Sequence, residues 1–265
     1  MIRCFALVAT IGLAVFSVNP VAAPLVLSPT ATVAGVSQAD YAVSWWQWAN
    51  RSRPGVRPYQ DPTGALCGLH QSGEVWFLAG TDGTDDVVRH CTMPVGKYLF
   101  FPVITMLGMN TPDTPASCAQ AVANAAENND HLDRADVRID GIRVRNIAHH
   151  RQRTPSCFDA YPNASYLERK GDQPKDYYPA ASDGYWLMLE PLTPGPHKIT
   201  VDARYDNKGA KYGDLEQVFE YQLQVGQYSD KKQAPRQRRP GEDIIVQRDP
   251  SRARIASVMW AHAWP

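Results

Sequence analysis

Short apolar or alternating runs, separated by Gly, Pro, Asn and Asp, recur along most of the chain. Runs rich in β-branched and aromatic residues with such boundaries predict β-strands. We expect strands at 74–79, 87–91, 97–104, 185–190, 197–204 and 218–225. A hairpin is expected at Asp140-Gly141, because both residues tolerate a positive φ and alternating stretches flank them. Residues 155–182 contain several prolines and predict a loop.

One segment near the start of this pattern is helical and unusually apolar. Ser37 is a suitable N-cap for a helix that continues to about Asn50. Its aromatic residues Tyr41, Trp45 and Trp48 recur at i, i+4 and i+7, so they form one stripe. Most of the remaining circumference is also apolar. We therefore expect this helix to be buried against the rest of the domain.

A second helix is predicted from the Ala-rich segment 114–127, where Pro115 occupies the first turn. About eight strands with frequent turns and only two helices predict a mainly β fold. We expect a β-sandwich, Ig-like or jelly-roll-like, with an N-terminal aromatic helix and one inserted Ala-rich helix. A mixed α+β fold is the alternative.

The first 23 residues have the features of a secretory signal peptide. Arg3 precedes an apolar run that extends to Val18, and small residues end the segment at Ala23. Pro20 interrupts the segment before it reaches the roughly 20 apolar residues of a membrane span. We therefore predict bacterial export to the periplasm or the medium, cleavage after Ala23, and no transmembrane segment after cleavage.

Charge is unevenly distributed, although Lys+Arg and Asp+Glu each total 27. Residues 24–226 hold 18 basic and 23 acidic residues, whereas residues 227–265 hold eight basic and four acidic residues. We interpret 24–226 as a single disulfide-stapled β-rich domain and 227–265 as a basic, largely flexible tail. Because the domain has no basic excess, we expect no nucleic-acid partner.

Cleavage of the signal peptide would remove Cys4 and leave Cys67, Cys91, Cys118 and Cys157. An even number of cysteines in an exported chain predicts two disulfides, with three possible connectivities. We favour the pairs 67–91 and 118–157, because each pair flanks one compact stretch of chain. The spacing of Cys and His does not match a zinc motif, so we predict no metal and no cofactor.

Several motifs occur together. They are Trp45-Trp46-Gln47-Trp48; VWFLAGT at 75–81 with Pro94-Val95-Gly96-Lys97; the Asp140-Gly141 hairpin followed by Pro155-Ser156-Cys157-Phe158; and DGYWLML at 183–189 with Pro194-Gly195 and His197. In these motifs the chain resembles a group of exported bacterial proteins without an established activity. The resemblance covers most of residues 40–225. It implies export and a β-rich domain, and it supplies no catalytic residues.

Surplus aromatic residues outside the first helix suggest a ligand-binding surface. Flat rings can cover the C–H faces of sugars, although aromatic side chains also dominate protein cores. The candidate ligand-binding residues are Gln71, Trp76, Tyr185 and Trp186. The leading hypothesis is that the protein binds a carbohydrate or an envelope or extracellular partner. A purely structural role, with the tail contacting acidic surfaces, is a further hypothesis.

The alternative hypothesis is an enzyme that acts on a polysaccharide or a cell-wall polymer. A Cys67–Cys91 bridge would bring His70 close to His90, with Arg89 available to contact an anion. Serine-hydrolase and nucleotide-binding motifs are absent from the sequence. The aspartates of GTDGTDD at 80–86 could offer oxygen ligands to Ca²⁺, but the loop lacks EF-hand order and favours a solvated turn.

The signal-peptide assignment makes a direct prediction. N-terminal sequencing of the exported protein should begin at Pro24, because Val21-Ala22-Ala23 fits the pattern of small residues that precedes a cleavage site. A start at another residue would contradict the assigned boundary.

Overall fold

The computed structural model describes residues 25–168, 171–209 and 214–226. The predicted signal peptide and the predicted basic tail lie outside the described residues. The α-helices are α1 (Gln38–Asn50), α2 (Cys118–Ala126) and α3 (Ser165–Glu168). In the described part of the chain, none of the helices has the length and apolar character needed to cross a membrane.

The described residues contain nine strands. They are β1 (Val75–Phe77), β2 (Val87–Pro94), β3 (Tyr98–Met109), β4 (Leu132–Ile139), β5 (Ile142–Arg143), β6 (Arg151–Arg153), β7 (Ala180–Leu189), β8 (Gly195–Tyr205) and β9 (Leu215–Gly226). The four-stranded sheet has the order β1-β3-β7-β6, and the five-stranded sheet has the order β2-β9-β8-β4-β5.

The predicted mainly β, sandwich-like fold is confirmed. Both sheets are mixed, because the edge strands β1 and β2 pair in parallel with β3 and β9, whereas the other pairs are antiparallel. Ig-type sandwiches are built from antiparallel sheets. The parallel edge pairs therefore distinguish this sandwich from that type.

The space between the two sheets holds the larger apolar core. Alternate residues of β7, among them Leu187 and Leu189, face this core, as do Ile199 of β8 and Leu223 of β9. The remaining residues of β8 and β9 are mostly half-buried or exposed, because the outer face of the five-stranded sheet meets solvent.

The opposite face of the four-stranded sheet is covered by α1 and by the 158–177 segment. Trp186 of β7 stacks on Phe100 of β3, with ring centroids 5.1 Å apart. The indole N–H groups of Trp45, Trp46 and Trp48 donate to Leu78 O (2.9 Å), Ser182 Oγ (2.8 Å) and Leu69 O (2.7 Å). The predicted burial of this helix is therefore observed, and its polar ring atoms are satisfied by three different segments.

Both predicted disulfides are confirmed. Cys67–Cys91 joins the segment before β1 to β2, with a Cα–Cα distance of 6.0 Å. Cys118–Cys157 joins the start of α2 to the segment after β6, with a Cα–Cα distance of 5.9 Å. Each bridge therefore attaches an irregular segment of the chain to a helix or a strand.

Three element predictions need correction. Helix α2 begins at Cys118, later than expected, because Ser117 and Gln120 form a capping box. The predicted loop 155–182 contains α3 and the first residues of β7. Strand β2 extends to Pro94, which lies on an edge strand where proline's missing N–H is tolerated.

Replacing Trp186 tests the double coverage of the four-stranded sheet. Its side chain is 0% exposed, so Trp186→Ala should lower the free energy of unfolding by about 3–5 kcal/mol. Val122→Ala, at an exposed helical position, should change it by less than about 0.5 kcal/mol. Guanidinium denaturation with the disulfides intact measures both, and equal effects would contradict the assignment.

Candidate functional site

All three predicted ligand-binding aromatics belong to the core. Trp186, Tyr185 and Trp76 are 0%, 5% and 4% exposed. β7 is a central strand with both faces covered, so Trp186 packs towards α1 and Tyr185 packs towards the five-stranded sheet. The structure thus places them where they cannot form the flat exposed platform that the sequence suggested.

Arg89 is also buried, at 1% exposure. Its guanidinium group donates to neutral oxygens of several segments at 2.6–3.3 Å. The acceptors are the carbonyl oxygens of Tyr59, Asp61, Ala79 and Gly80 and the hydroxyl of Tyr221. Arg89 therefore ties the segments around β1 to the five-stranded sheet and does not reach solvent as an anion contact.

The predicted cluster of His70, Arg89 and His90 does not assemble. The Cys67–Cys91 bridge forms, but His70 and His90 line two different clefts. Successive residues of a strand point to opposite faces, so the inward position of Arg89 places His90 outward. The two imidazoles and the guanidinium group therefore share no reaction site.

The larger of these two clefts, the His70 cleft, has a volume of about 840 Å³ and lies at one end of the sandwich. It is formed by the 68–73 segment, β1, the turn between β2 and β3, and the end of β9. Its lining residues are Gly68, His70, Gln71, Ser72, Gly73, Val75, Trp76, Pro94, Val95, Lys97 and Gly226. The structure therefore brings three predicted site residues, His70, Gln71 and Trp76, into one cleft.

The wall of the His70 cleft is held by side-chain to backbone hydrogen bonds. The Gln71 amide accepts from Phe77 N (3.0 Å) and donates to the carbonyl oxygens of Phe77 and Cys67 (both 2.8 Å). Lys97 Nζ donates to Gly73 O (2.6 Å). Gln71 therefore fixes the wall, while the other ammonium hydrogens of Lys97 remain for a ligand.

His70 is exposed at this cleft and adopts a left-handed backbone conformation, with φ of 56°. Partial burial lowers the pKa of His70, and the positive charge of Arg51 lowers it further. The neutral imidazole is therefore favoured near neutral pH, and it offers one hydrogen-bond donor and one acceptor.

The smaller cleft, the His90 groove, has a volume of about 570 Å³ and crosses the outer face of the five-stranded sheet. His90, Gln222 and Lys198 lie side by side on β2, β9 and β8. Thr92 and Gln224 form the next outward row on β2 and β9. The sheet thus presents imidazole, amide, hydroxyl and ammonium groups at fixed cross-strand positions.

Several charged and polar side chains of the His90 groove have hydrogen-bond partners. Lys198 Nζ lies 2.6 Å from Glu220 Oε2, and this hydrogen bond lowers the pKa of Glu220, with a further contribution from Gln222. His197 Nδ1 lies 2.7 Å from Asp140 Oδ2, and its Nε2 lies 2.8 Å from Thr193 O. Nδ1 of His197 thus holds the Asp140-Gly141 turn against β8, and Nε2 holds the connection between β7 and β8.

The aspartate-rich loop forms a turn. Asp82 Oδ1 accepts hydrogen bonds from the backbone N–H and the hydroxyl of Thr84. In ranges 25–168, 171–209 and 214–226, no group of three or more His, Cys, Asp and Glu side chains is placed to hold a metal ion.

Sequence reasoning missed several polar residues of the two clefts. Ser72 and Lys97 lie in short connecting segments, where a polar residue carries no functional signal. Gln222 and Gln224 were detectable in part, because they alternate with buried residues along β9. The sequence could not show that β2 and β8 place His90 and Lys198 beside Gln222.

Comparisons with known proteins assign this chain to no family. No protein-family model and no curated protein matches the chain. A solved structure titled "Solution Structure of Amebosin" matches with 10% identity and a TM-score of 0.20, over 58% of this chain and 100% of that one. A TM-score at this level carries no argument about fold or function.

Arg89 offers a test of its structural role. Arg89→Met removes donors from several buried oxygens, and each buried unsatisfied group costs about 1–3 kcal/mol. We expect unfolding free energy to fall by about 3 kcal/mol or more, measured by urea denaturation. Arg89→Lys should not restore it, because an ammonium group cannot reproduce the guanidinium geometry.

The matched control is Arg145→Met at an exposed position, where a change within about 0.5 kcal/mol is expected. A loss at Arg89 no larger than that of the control would show that Arg89 does not hold these segments together.

Proposed function

We propose that the chain is an exported binding protein of the bacterial envelope or extracellular space, and that the His70 cleft binds a carbohydrate. The observation that carries this proposal is the convergence of His70, Ser72 and Lys97 on one cleft of about 840 Å³. Its volume falls within the range of small-molecule sites. The two disulfides support export, because such bonds persist in oxidising compartments.

The chemistry of the cleft suits a hydroxyl-rich ligand. A sugar hydroxyl both donates and accepts hydrogen bonds, and His70 and Ser72 offer both functions, while Lys97 donates. Val95, which is 51% exposed, adds apolar surface for the C–H face of a ring. The hydrogen bonds of Gln71 keep the wall rigid, which lowers the entropic cost of binding.

The set of side chains that lines the His70 cleft favours carbohydrate binding over glycoside hydrolysis. Glycoside hydrolysis uses a pair of carboxyl groups that flank the scissile bond. The described lining residues of the His70 cleft supply an imidazole, an ammonium group, an amide and a hydroxyl. The predicted catalytic set would also need Arg89, whose donors are directed to backbone carbonyl oxygens and a tyrosine hydroxyl in the interior.

The test is a glycan array with the mature protein, followed by calorimetry on the best neutral ligand. His70→Ala and Lys97→Met should each weaken binding by about tenfold, equivalent to about 1.4 kcal/mol. Lys175→Met is the matched control, because Lys175 is exposed and does not line the cleft. Circular dichroism of each variant verifies that the fold is retained.

Two outcomes would refute the proposal. One is the absence of any bound glycan. The other is a bound glycan whose affinity is unchanged by both cleft substitutions.

A further inference from the structure

The His70 cleft and the His90 groove are consecutive along one pair of parallel strands. The outward residues of β2 are Val88, His90, Thr92 and Pro94, and those at the end of β9 are Gln222, Gln224 and Gly226. Thr92 and Gln224 line the groove, whereas the next outward pair, Pro94 and Gly226, lines the cleft. A single two-residue step of about 7 Å separates these pairs.

One wall borders both clefts. Gly64, Ala65 and Cys67 line the groove, and the following residues from Gly68 line the cleft. The Cys67–Cys91 bridge and a hydrogen bond from His90 N to Thr63 O (2.9 Å) hold this wall against β2. Gly64, at φ of 86°, permits the contact, because a Cβ there would lie 2.5 Å from His90 O.

Groups in the groove part of this path form hydrogen bonds with one another. Lys198 is paired with Glu220, and Gln222 donates to Glu220 (3.0 Å) while its amide keeps further donor and acceptor capacity. Thr92 and Gln224 add uncharged polar groups, and His90 adds an imidazole. In the groove, a neutral, hydroxyl-rich chain matches the surface better than a polyanion, because the groove's lysine is already paired with a carboxylate.

We infer that the cleft and the groove form one continuous path for an extended, neutral polysaccharide chain that runs along β2 and β9. The inference rests on the proposed function of the His70 cleft. The distance from His90 to Pro94 along β2 is about 13 Å, so the path accommodates several consecutive sugar units. A peptide adding to the edge of β2 is disfavoured, because the N–H of His90 is already bonded to the wall.

The test is a length series of neutral cello- and N-acetylchito-oligosaccharides, from disaccharide to hexasaccharide, measured by calorimetry on the mature protein. Affinity should rise by about tenfold or more from disaccharide to hexasaccharide. His90→Ala and Gln224→Ala should weaken hexasaccharide binding by about tenfold and leave disaccharide binding unchanged. His149→Ala, at an exposed position outside both clefts, should alter neither.

The outcomes separate this inference from the proposed function. A disaccharide that binds as tightly as a hexasaccharide, with sensitivity to His70→Ala alone, would overturn the path and retain the cleft. If none of the oligosaccharides binds the unsubstituted protein, both the path and the proposed function of the His70 cleft are overturned. Binding of an anionic polymer or a peptide that depends on His90, in place of a neutral oligosaccharide, would also overturn the path.

Discussion

Strands β3 and β7 are buried on both faces along most of their length, and the neighbouring layers of the described fold serve to cover them. The five-stranded sheet covers one face and the tryptophan-rich helix α1 covers the other. Continuous apolar runs such as the one in β7 are stable only when both faces leave water. The stacked pair of Phe100 and Trp186 therefore needs α1 in place, and α1 needs the sheet.

A second set of contacts connects this core to the clefts. Arg89 lies between the sheets and the irregular segments on either side of β1, where its donors meet backbone carbonyl oxygens. The side-chain amide of Gln71 likewise bonds to backbone groups: it pairs with the N–H and C=O of Phe77, as the backbone of a neighbouring strand would. Buried polar groups must be satisfied, so these side chains give the loop segments defined positions without regular structure. The hydrogen bonds of Arg89 and Gln71 therefore fix the positions of the segments that form the walls of both clefts.

The sequence anticipated a large part of the fold and a smaller part of the candidate site. The helix at Gln38–Asn50 was predictable because capping and apolar spacing are local properties. His70, Gln71 and Trp76 were chosen from the sequence and do share a cleft, but Trp186 and Tyr185 do not reach the surface. An aromatic residue has the same local pattern in a core and in a binding platform, so burial could not be read from sequence.

The sequence by itself determined the strand-rich composition, the first helix and two cysteine pairs whose short separations favoured the observed bridges. Tertiary structure alone decided that β1 pairs in parallel with β3 and β2 with β9. It also decided that Arg89 points inward while His90 points outward, and that Thr92 and Gln224 lie between one cleft and the next. The reason is physical. Helix caps and turns depend on neighbours within a few residues, whereas strand order and shared clefts arise from contacts between distant segments that local patterns do not encode.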